Sequence, residues 1–357
     1  MKLLFLTQVL DSQHGVLGFV VRWIAEFAKH VESVRVVALE VGDTSGLPAN
    51  VDWVEIGRRG RVGRYFKYRG ALSQALGHDG FDAVLAHMVP RYALVAAGPA
   101  KKHNARLYLW YTHKGVDARL RRAVPMVIKA FTASEESLRL DAPNRVVTGH
   151  GIDTEHFDME APDFAEPLRI LSVGRLTPAK DPLCVLRGLR RLLDVGLDVQ
   201  LDWVGGGLTK SDEGFSGEVK REIARLKLES KVQLHGEIPY ASVNRFFEGA
   251  DFFVNASTTG SVDKVVLEAM AARRPAVSCN DSFPVIFDAL PESTGRSSSF
   301  YFKPGDDLEF ANRIAGLIQR GPEELREMGE HLRELVVRDH GVESLCERLI
   351  RHMEPEE

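Results

Sequence analysis

The sequence predicts two doubly wound α/β lobes in series, and three observations support this fold class. Short apolar runs rich in β-branched residues recur along the chain and alternate with helical patterns, which indicates parallel sheets covered on both faces. The alternation is interrupted once, by the polar stretch DMEAPDFAEP (158–167), and then begins again. The length of 357 residues also suits two domains better than one core.

The first lobe is predicted over residues 1–160. Its strands are expected at the apolar runs 3–7, 34–41, 82–88, 106–113, 127–133 and 145–149. Helical patterns lie between several of these runs, at 17–30, 63–77 and 91–104. In open α/β sheets ligands bind outside the carboxyl ends of the strands, so the residues that follow each strand are the candidates for a site.

The second lobe is predicted over residues 161–357. Its strands are expected at 169–176, 199–207, 231–238, 251–257 and 275–280. Its helices are expected at 182–196, near 216–228, and at 307–320, 322–338 and 342–353. The last of these helices carries an apolar face formed by Val342, Leu345, Leu349 and Met353.

Composition and charge exclude several function classes. No apolar run approaches the roughly 20 residues that a membrane-spanning helix needs, and the apolar start is too short for a signal peptide. The three cysteines are far apart, which predicts a reducing, cytoplasmic location and no zinc site. Nucleic acid is disfavoured as a partner because the net charge is −4 and no reader motif occurs.

The charge is distributed unevenly. Residues 1–160 carry 21 Lys and Arg against 17 Asp and Glu, whereas the remainder carries 25 against 33. The basic excess is concentrated in 57–70, where aromatic residues are interleaved, and in 101–122. Three interpretations stay open: contact with anionic lipid at the inner face of the membrane, binding of an anionic acceptor, and a solvated face.

Polar residues and glycines collect after the predicted strands, where a packed scaffold alone does not require them. In the first lobe they are Gly15 and Gly18 with the neighbouring His14, then His87, His113 and His150. In the second lobe they are Arg175, Lys180, Gly205 to Gly207, Gly260, Ser261, Val262, Asp263, Lys264 and Glu268. His87 and His150 are equally well explained as packed, hydrogen-bonded side chains.

Five segments then carry a resemblance. SVGRLTPAKDP (172–182), DWVGGG (202–207), VQLHGEIP (232–239), FFEGADFFVNAS (246–257) and VVLEAMAARRPAVS (265–278) resemble, in order and spacing, the nucleotide-sugar lobe of family 4 of the retaining glycosyltransferases. The first lobe resembles that family more loosely, through its first turn, its strand-end histidines and GHGID (149–153). The resemblance implies a GT-B fold: two Rossmann-like lobes that face a central cleft and close by a hinge, with the last helix crossing back to the first lobe.

The resemblance also implies a reaction. A sugar passes with retention from a nucleotide-diphosphate donor to a hydroxyl acceptor, which is a glycan, a lipid-linked molecule or a small molecule, without metal or cofactor. The departing diphosphate must then be neutralised by protein cations and N–H groups. The resemblance assigns this role to Arg175 and Lys180, for which a solvated turn is the alternative. It places His113 against the transferred sugar.

The remaining candidates are donor contacts. Glu268 lies in an apolar helix segment, where a lone carboxylate is costly, and the family uses this Glu to bind a ribose diol. Gly205 and Gly206 correspond to glycines beside the base or ribose, and Gly15 with Gly18 suits a backbone that approaches a phosphate or sugar closely. The run from Gly260 to Lys264 precedes the helix and offers backbone N–H groups, with Ser261 or Asp263 expected as its cap.

The same run departs from the family pattern. The family carries a Glu eight positions before the ribose-binding Glu, where this chain has Gly260, and it carries a small glycine where this chain has Asp263 and Lys264. Asp263, Lys264 or backbone N–H groups are the expected substitutes in donor binding. Other functions therefore stay open: a nucleotide-sugar epimerase or inverting transferase of the same fold, and a nucleotide-sugar-binding protein without turnover.

Overall fold

The computed structural model describes residues 1–58, 60–206, 210–258 and 260–354. The chain divides into two units, Met1–Gly151 with Val342–Glu357 and Ile152–Gly341. The division follows Gly151, whereas the sequence predicts it after residue 160. The segment from 152 belongs to the second unit because its carbonyls are bound there: the Arg333 guanidinium donates to the Thr154 carbonyl at 3.0 Å.

The strands form two entirely parallel sheets. In chain order they are β1 (Lys2–Leu10), β2 (Ser33–Val41), β3 (Val51–Glu55), β4 (Ala83–His87), β5 (Arg106–Trp110), β6 (Ala130–Thr132), β7 (Arg145–Val147), β8 (Leu168–Val173), β9 (Val199–Val204), β10 (Val232–Gly236), β11 (Phe252–Asn255) and β12 (Ala276–Ser278). The strand order is β3-β2-β1-β4-β5-β6-β7 in the first unit and β10-β9-β8-β11-β12 in the second. The order reverses between β1 and β4 and between β8 and β11, and these points are where doubly wound sheets bind ligands.

The helices cover the sheet faces. In chain order they are α1 (Phe19–His30), α2 (Arg61–Gly77), α3 (Pro90–Lys102), α4 (Ala118–Ala123), α5 (Pro182–Asp194), α6 (Lys210–Arg225), α7 (Asn244–Glu248), α8 (Lys264–Ala271), α9 (Phe283–Asp288), α10 (Ser297–Phe300), α11 (Asp307–Ile318), α12 (Gly321–His340) and α13 (Val342–Met353). Three short 3-10 turns lie at Val124–Met126, Pro178–Lys180 and Tyr240–Ser242. Within the described ranges, none of these helices combines the length and apolar character that crossing a bilayer requires.

One strand, β3, is not predicted from the sequence. Only Val51 of this strand is buried, while Asp52, Trp53 and Glu55 are exposed. The strand pairs with β2 alone and forms the edge of its sheet. An edge strand with one buried side chain lacks the apolar run that identifies the central strands.

The last helix, α13, packs within the first unit. The four residues predicted to share its apolar face are buried, together with Cys346 and Ile350. Polar contacts fix both ends: Glu343 pairs with Arg22, and the Tyr108 hydroxyl donates to the Met353 carbonyl at 3.2 Å. Full burial of each leucine contributes about 2 kcal/mol, so α13 is an integral part of this unit.

Candidate functional site

A polar cluster in the second unit lies at the carboxyl ends of β8 and β11. Lys180 ends the 3-10 turn that follows β8, and its Nζ lies 2.8 Å from Asp263 Oδ1 and 3.1 Å from Ser257 Oγ. The Thr258 N–H donates to the Ala179 carbonyl at 3.0 Å and ties this turn to the segment after β11. The Lys180 and Asp263 side chains are 18% and 13% exposed, so water screens their attraction only partly. A positioned cation therefore sits at the point where the strand order reverses.

Asp263 binds across the cluster instead of capping its helix. It occupies the position before α8, yet its side chain forms no capping hydrogen bond there. One oxygen accepts from Lys180, and the other accepts from Asn280 Nδ2 at 3.1 Å, while the same amide donates to the Ser261 carbonyl at 2.7 Å. Neither Ser261 nor Asp263 caps α8 with its side chain, although the sequence predicts a cap from one of them. The Asp263 carboxylate is instead bound to Lys180 and Asn280. Asn280 was not among the predicted site residues, although it is the last residue of the predicted strand 275–280.

Glu268 is the buried acidic residue of the same region. Its exposure is 2%, and its Oε1 accepts from Lys264 Nζ at 2.6 Å and from the Tyr240 hydroxyl at 3.2 Å. Lys264 Nζ also lies 2.9 Å from the Tyr240 hydroxyl and 4.3 Å from its ring centroid. Burial and the nearby Glu268 carboxylate raise the pKa of Tyr240 well above its usual value, so its hydroxyl remains a donor. No described residue bonds Oε2 of Glu268, which leaves that oxygen as an acceptor for a ligand.

Gly205 and Gly206 lie where β9 passes close to the segment after β8. Gly205 has φ of +128°, and a Cβ there would stand 2.2 Å from the Gly174 carbonyl oxygen. Its N–H donates to the Gly236 carbonyl at 2.7 Å, and the Leu176 N–H donates to the Gly206 carbonyl at 3.3 Å. The close packing of two backbones thus requires glycine at position 205 before any ligand contact is considered. Gly207 lies outside the described residues.

The other candidates of the second unit are placed as follows. Arg175 is exposed and forms no ion pair with any residue in the described ranges. Gly260 is buried with φ of +65°, a backbone conformation that strains other residues and suits glycine. Val262 is buried at 5% exposure and Ser261 is half-buried, so they shape the loop that carries Asp263.

His113 is the exposed histidine that follows β5 in the first unit. Its ring Nδ1 accepts the Gly115 N–H at 2.9 Å, and the backbone N–H of His113 donates to the Ser137 carbonyl at 2.7 Å. A neutral ring with an accepting Nδ1 carries its proton on Nε2. The side chain therefore presents an Nε2–H donor; its predicted contact with the transferred sugar stays a prediction.

His87 and His150 are structural. Each of the two imidazole rings packs against both Trp23 and Trp110 in one aromatic cluster. His87 is 1% exposed, contacts Thr7 Oγ1 at 3.2 Å through Nδ1, and burial lowers its pKa to about 3. His150 is 4% exposed and its Nδ1 accepts the Gly151 N–H at 2.9 Å. Both side chains serve packing. This is one of the two explanations that the sequence leaves open; the other is a role in a strand-end site.

The loop after β1 uses several of its backbone donors internally. His14 Nδ1 accepts the N–H groups of Val16 and Leu17 at 3.1 and 3.0 Å, and its carbonyl accepts the Gly18 N–H at 2.9 Å. Gly18 has φ of −55°, a conformation open to any residue, and Gly15 is exposed. These contacts organise the loop around His14 and reduce the number of N–H groups that a phosphate or sugar would find there.

Part of the chain matches known glycosyltransferase sequences. Residues 167–320 match the sequence family described as Glycosyl transferases group 1. The amylovoran biosynthesis glycosyltransferase AmsK of Erwinia amylovora is 30% identical over 181 residues, which are 49% of this chain and 41% of that relative. The chain thus spans less than half the length of that curated relative.

Two solved structures show the fold. A glycosyltransferase from Rickettsia africae ESF-5 has a TM-score of 0.77 at 17% identity, over 99% of this chain and 98% of its own. Anabaena Alr3699/HepE in complex with UDP and glucose has a TM-score of 0.76 at 18% identity, over 99% of both chains. These matches confirm the predicted fold of two Rossmann-like lobes, as in GT-B glycosyltransferases.

Proposed function

We propose that this chain is a retaining, metal-independent glycosyltransferase that moves a sugar from a nucleotide-diphosphate donor to a hydroxyl acceptor. The observation that carries the proposal is Lys180. Its ammonium is fixed between the carboxyl ends of β8 and β11 by Ser257 and Asp263, inside the region that matches Glycosyl transferases group 1. A cation at this point of a doubly wound sheet suits the phosphates of a nucleotide.

The chemistry requires charge neutralisation on the donor side. The bond from the sugar's anomeric carbon to the diphosphate oxygen breaks, a bond to the acceptor oxygen forms, and the acceptor proton leaves with the diphosphate. Lys180 and the exposed Arg175 stabilise the charge that develops on the leaving group. Because protein cations supply this neutralisation, we propose that no metal takes part. Asp263 holds the lysine ammonium in place, which lowers the entropy that the side chain loses on binding.

Glu268 is assigned to the donor's ribose. Lys264 and Tyr240 both bind Oε1 and fix the carboxylate in the interior of the unit, while Oε2 accepts from a hydroxyl. His113 donates from Nε2 to a hydroxyl of the transferred sugar. Since HepE is described in complex with UDP and glucose and AmsK is named for amylovoran biosynthesis, we propose a UDP-sugar as the first donor to test and a growing polysaccharide as the acceptor class. A cytoplasmic location is part of the same proposal.

A thermal-shift panel of nucleotides and nucleotide sugars tests the donor site. We expect a nucleoside diphosphate at about 100 times its dissociation constant to add roughly 2.7 kcal/mol of stability to the wild type. Glu268→Gln and Lys180→Gln should lose most of that shift, because the first loses a charged acceptor and the second leaves Asp263 facing the diphosphate. Glu229→Gln, at an exposed site of the same unit, is the control. Equal shifts in all four proteins would remove both residues from the donor site.

Slow donor hydrolysis, with water as acceptor, tests the reaction itself. NMR of the first sugar released should show the anomeric configuration of the donor, before the sugar equilibrates in solution. The rate should be the same in EDTA as in Mg²⁺ or Mn²⁺. Inversion would contradict retention, and loss of the rate in EDTA would contradict metal independence. Donor binding without hydrolysis under every condition would identify a nucleotide-sugar-binding protein instead.

A further inference from the structure

The first unit contains a cavity of about 340 Å³ that lies apart from the strand-end candidates above and is lined in part by the basic segments 57–70 and 101–122. Its walls come from β1, β2, α2, α3 and α4 and include the aromatic side chains Tyr65, Tyr68 and Tyr92. Tyr68 and Tyr92 stack with centroids 5.4 Å apart, and Leu39, Val89 and Val95 complete the apolar lining. The volume lies in the range of small-molecule sites, so an apolar portion of a ligand fits against these rings.

Three arginines line this cavity. Arg64, Arg91 and Arg119 line it, and none of them forms an ion pair within the part of the chain that the structure describes. Burial raises the pKa of Tyr92 to about 12, against the opposing influence of Arg64, Arg58 and Arg91, which places positive charge beside the ring. The one lining carboxylate, Asp117, accepts the Leu120 N–H at 2.8 Å as the cap of α4. The cavity therefore has three arginines against one carboxylate, which is an excess of positive charge.

Tyr68 supplies a second, independent indication of a ligand. The side chain lines the cavity at 4% exposure, and its buried hydroxyl has no hydrogen-bond partner among the described residues. A buried hydroxyl without a partner costs about 1–3 kcal/mol, so proteins rarely retain one without a reason. A ligand oxygen that accepts from this hydroxyl would supply the missing bond.

The outer surface of α2 extends the apolar character beyond the cavity. Val62 and Phe66 are 71% and 68% exposed, and Tyr65, which lines the cavity, is itself 48% exposed. Arg64, four positions before Tyr68, belongs to the same helix. A molecule with a charged group at the arginines and an apolar chain along α2 would match both surfaces at once.

We propose that this cavity binds an amphiphilic phosphate, that is, a phosphate or diphosphate ester of a long-chain alcohol. The guanidinium groups bind the phosphate oxygens, Tyr68 donates to one of them, and the apolar chain lies against Tyr65 and Phe66. In the transfer reaction, this cavity would hold the acceptor molecule through the acceptor's phosphate. That role rests on the proposed function, whereas binding of the amphiphilic phosphate to the cavity does not.

Calorimetric titration with farnesyl phosphate, below the concentration at which it forms micelles, tests the site on the full chain without a donor. We expect Arg64→Gln and Arg91→Gln each to weaken binding about tenfold, because each removes a charged hydrogen-bond donor. Arg122→Gln, at an exposed arginine of the same unit outside the cavity, should stay within about twofold of the wild type. Equal affinity in all four proteins would overturn the proposal.

Tyr68→Phe gives a test that a folding defect cannot imitate. It should weaken farnesyl phosphate about fivefold and yet leave the melting temperature of the protein alone unchanged or higher, because it removes a buried hydroxyl without a partner. Unchanged affinity would overturn the assignment of Tyr68.

Three further ligands separate the sources of the phosphate. Farnesol and inorganic phosphate should each bind at least about tenfold more weakly than farnesyl phosphate, since each supplies half of the contacts. The proposal would be overturned if the protein bound phosphatidylglycerol vesicles tightly but did not bind farnesyl phosphate, and if Tyr68→Phe left the vesicle binding unchanged. The basic surface would then be a membrane contact. Lys180→Gln should leave farnesyl phosphate binding unchanged, so a failed donor site and a failed cavity are distinguishable.

Discussion

The two units share a doubly wound topology, but the polar side chains at their strand ends have different surroundings. In the second unit Lys180 and Lys264 each have a carboxylate partner, in Asp263 and Glu268. In the first unit the histidines after β4 and β7 are buried among aromatic rings, and the arginines around the cavity have no ion pair within the described residues. The two lysines of the candidate donor site are therefore paired and fixed, whereas the arginines at the apolar wall of the cavity have no ion pair within the described residues.

This difference bears on how each unit binds an anion. A lysine held by a carboxylate is already in position, so a diphosphate meets a fixed geometry but must share the cation with Asp263. Arginines without partners attract an anion with no such competition, yet they must be ordered when it binds. We therefore expect the second unit to be selective in geometry and the first to depend more on net charge.

Gly205→Ala is expected to have the largest effect on the second unit. The new methyl group would stand 2.2 Å from the Gly174 carbonyl oxygen, at a φ of +128° that L-residues rarely adopt. We expect a loss of about 4 kcal/mol of unfolding free energy, because both the clash and the backbone strain must be relieved. Differential scanning calorimetry should show the loss as a lower melting temperature.

The control for this substitution is Gly80→Ala in the first unit. Gly80 has φ of +72°, and a Cβ there would meet nothing within 4 Å. Only backbone strain applies, so about 1 kcal/mol is expected. Similar losses for the two variants would show that the close approach of β9 to the turn after β8 is unimportant, and that this part of the second unit is no more rigid than a surface turn.

The sequence predicts this topology well because its signals are local. Within the described ranges, eleven of twelve strands lie within or overlap the apolar runs predicted for them, and the missed one, β3, is an edge strand with a single buried side chain. The helices with long amphipathic patterns are found as well, whereas the short α4, α7, α9 and α10 are not predicted. A helix of one or two turns has too few residues to show a period.

The candidate site was less accessible from the sequence because it depends on distant partners. Lys180 and Asp263 are separated by 83 positions, and no local pattern indicates that they pair. Tyr240 was missed since it lies in a 3-10 turn without periodicity, and its role follows only from its contact with Glu268. His87 shows the converse: its place after a strand suits a site, and only its burial identifies it as a packed side chain.

Asp263→Ala sharpens the comparison of paired and unpaired charge. It leaves Lys180, 18% exposed, with Ser257 in place of an anion, and removes an acceptor from Asn280. We expect a loss of about 2–3 kcal/mol, measured by calorimetry at neutral pH, because a partly buried cation loses its counter-charge.

Asp52→Ala in the first unit is the matched control. Asp52 is 56% exposed beside Arg35, which also pairs with Asp79, so its removal should cost less than about 1 kcal/mol. Equal losses from the two variants would mean that the Lys180 pair behaves as a surface ion pair. In that case Lys180 would not be positioned by Asp263, and the geometric selectivity expected for the second unit would disappear.

His87 offers the smallest of these effects, and the one that depends on pH. Its folded-state pKa is about 3, against 6.5 for an ordinary histidine. Between these values the unfolded chain binds a proton that the folded chain does not, so the contribution is fully present above pH 6.5 and declines as the pH falls towards 3. At pH 5 the loss relative to pH 8 amounts to about 2 kcal/mol.

His87→Gln removes this group, so its melting temperature should fall less steeply than that of the wild type between pH 7 and pH 5. His78→Gln, at a side chain that is 87% exposed, should keep the wild-type slope. Because other groups titrate alike in all three proteins, the difference between the profiles isolates His87. Parallel profiles would mean that His87 takes up a proton within the aromatic cluster; it would then be a charged strand-end residue, and the first unit would no longer differ from the second in this respect.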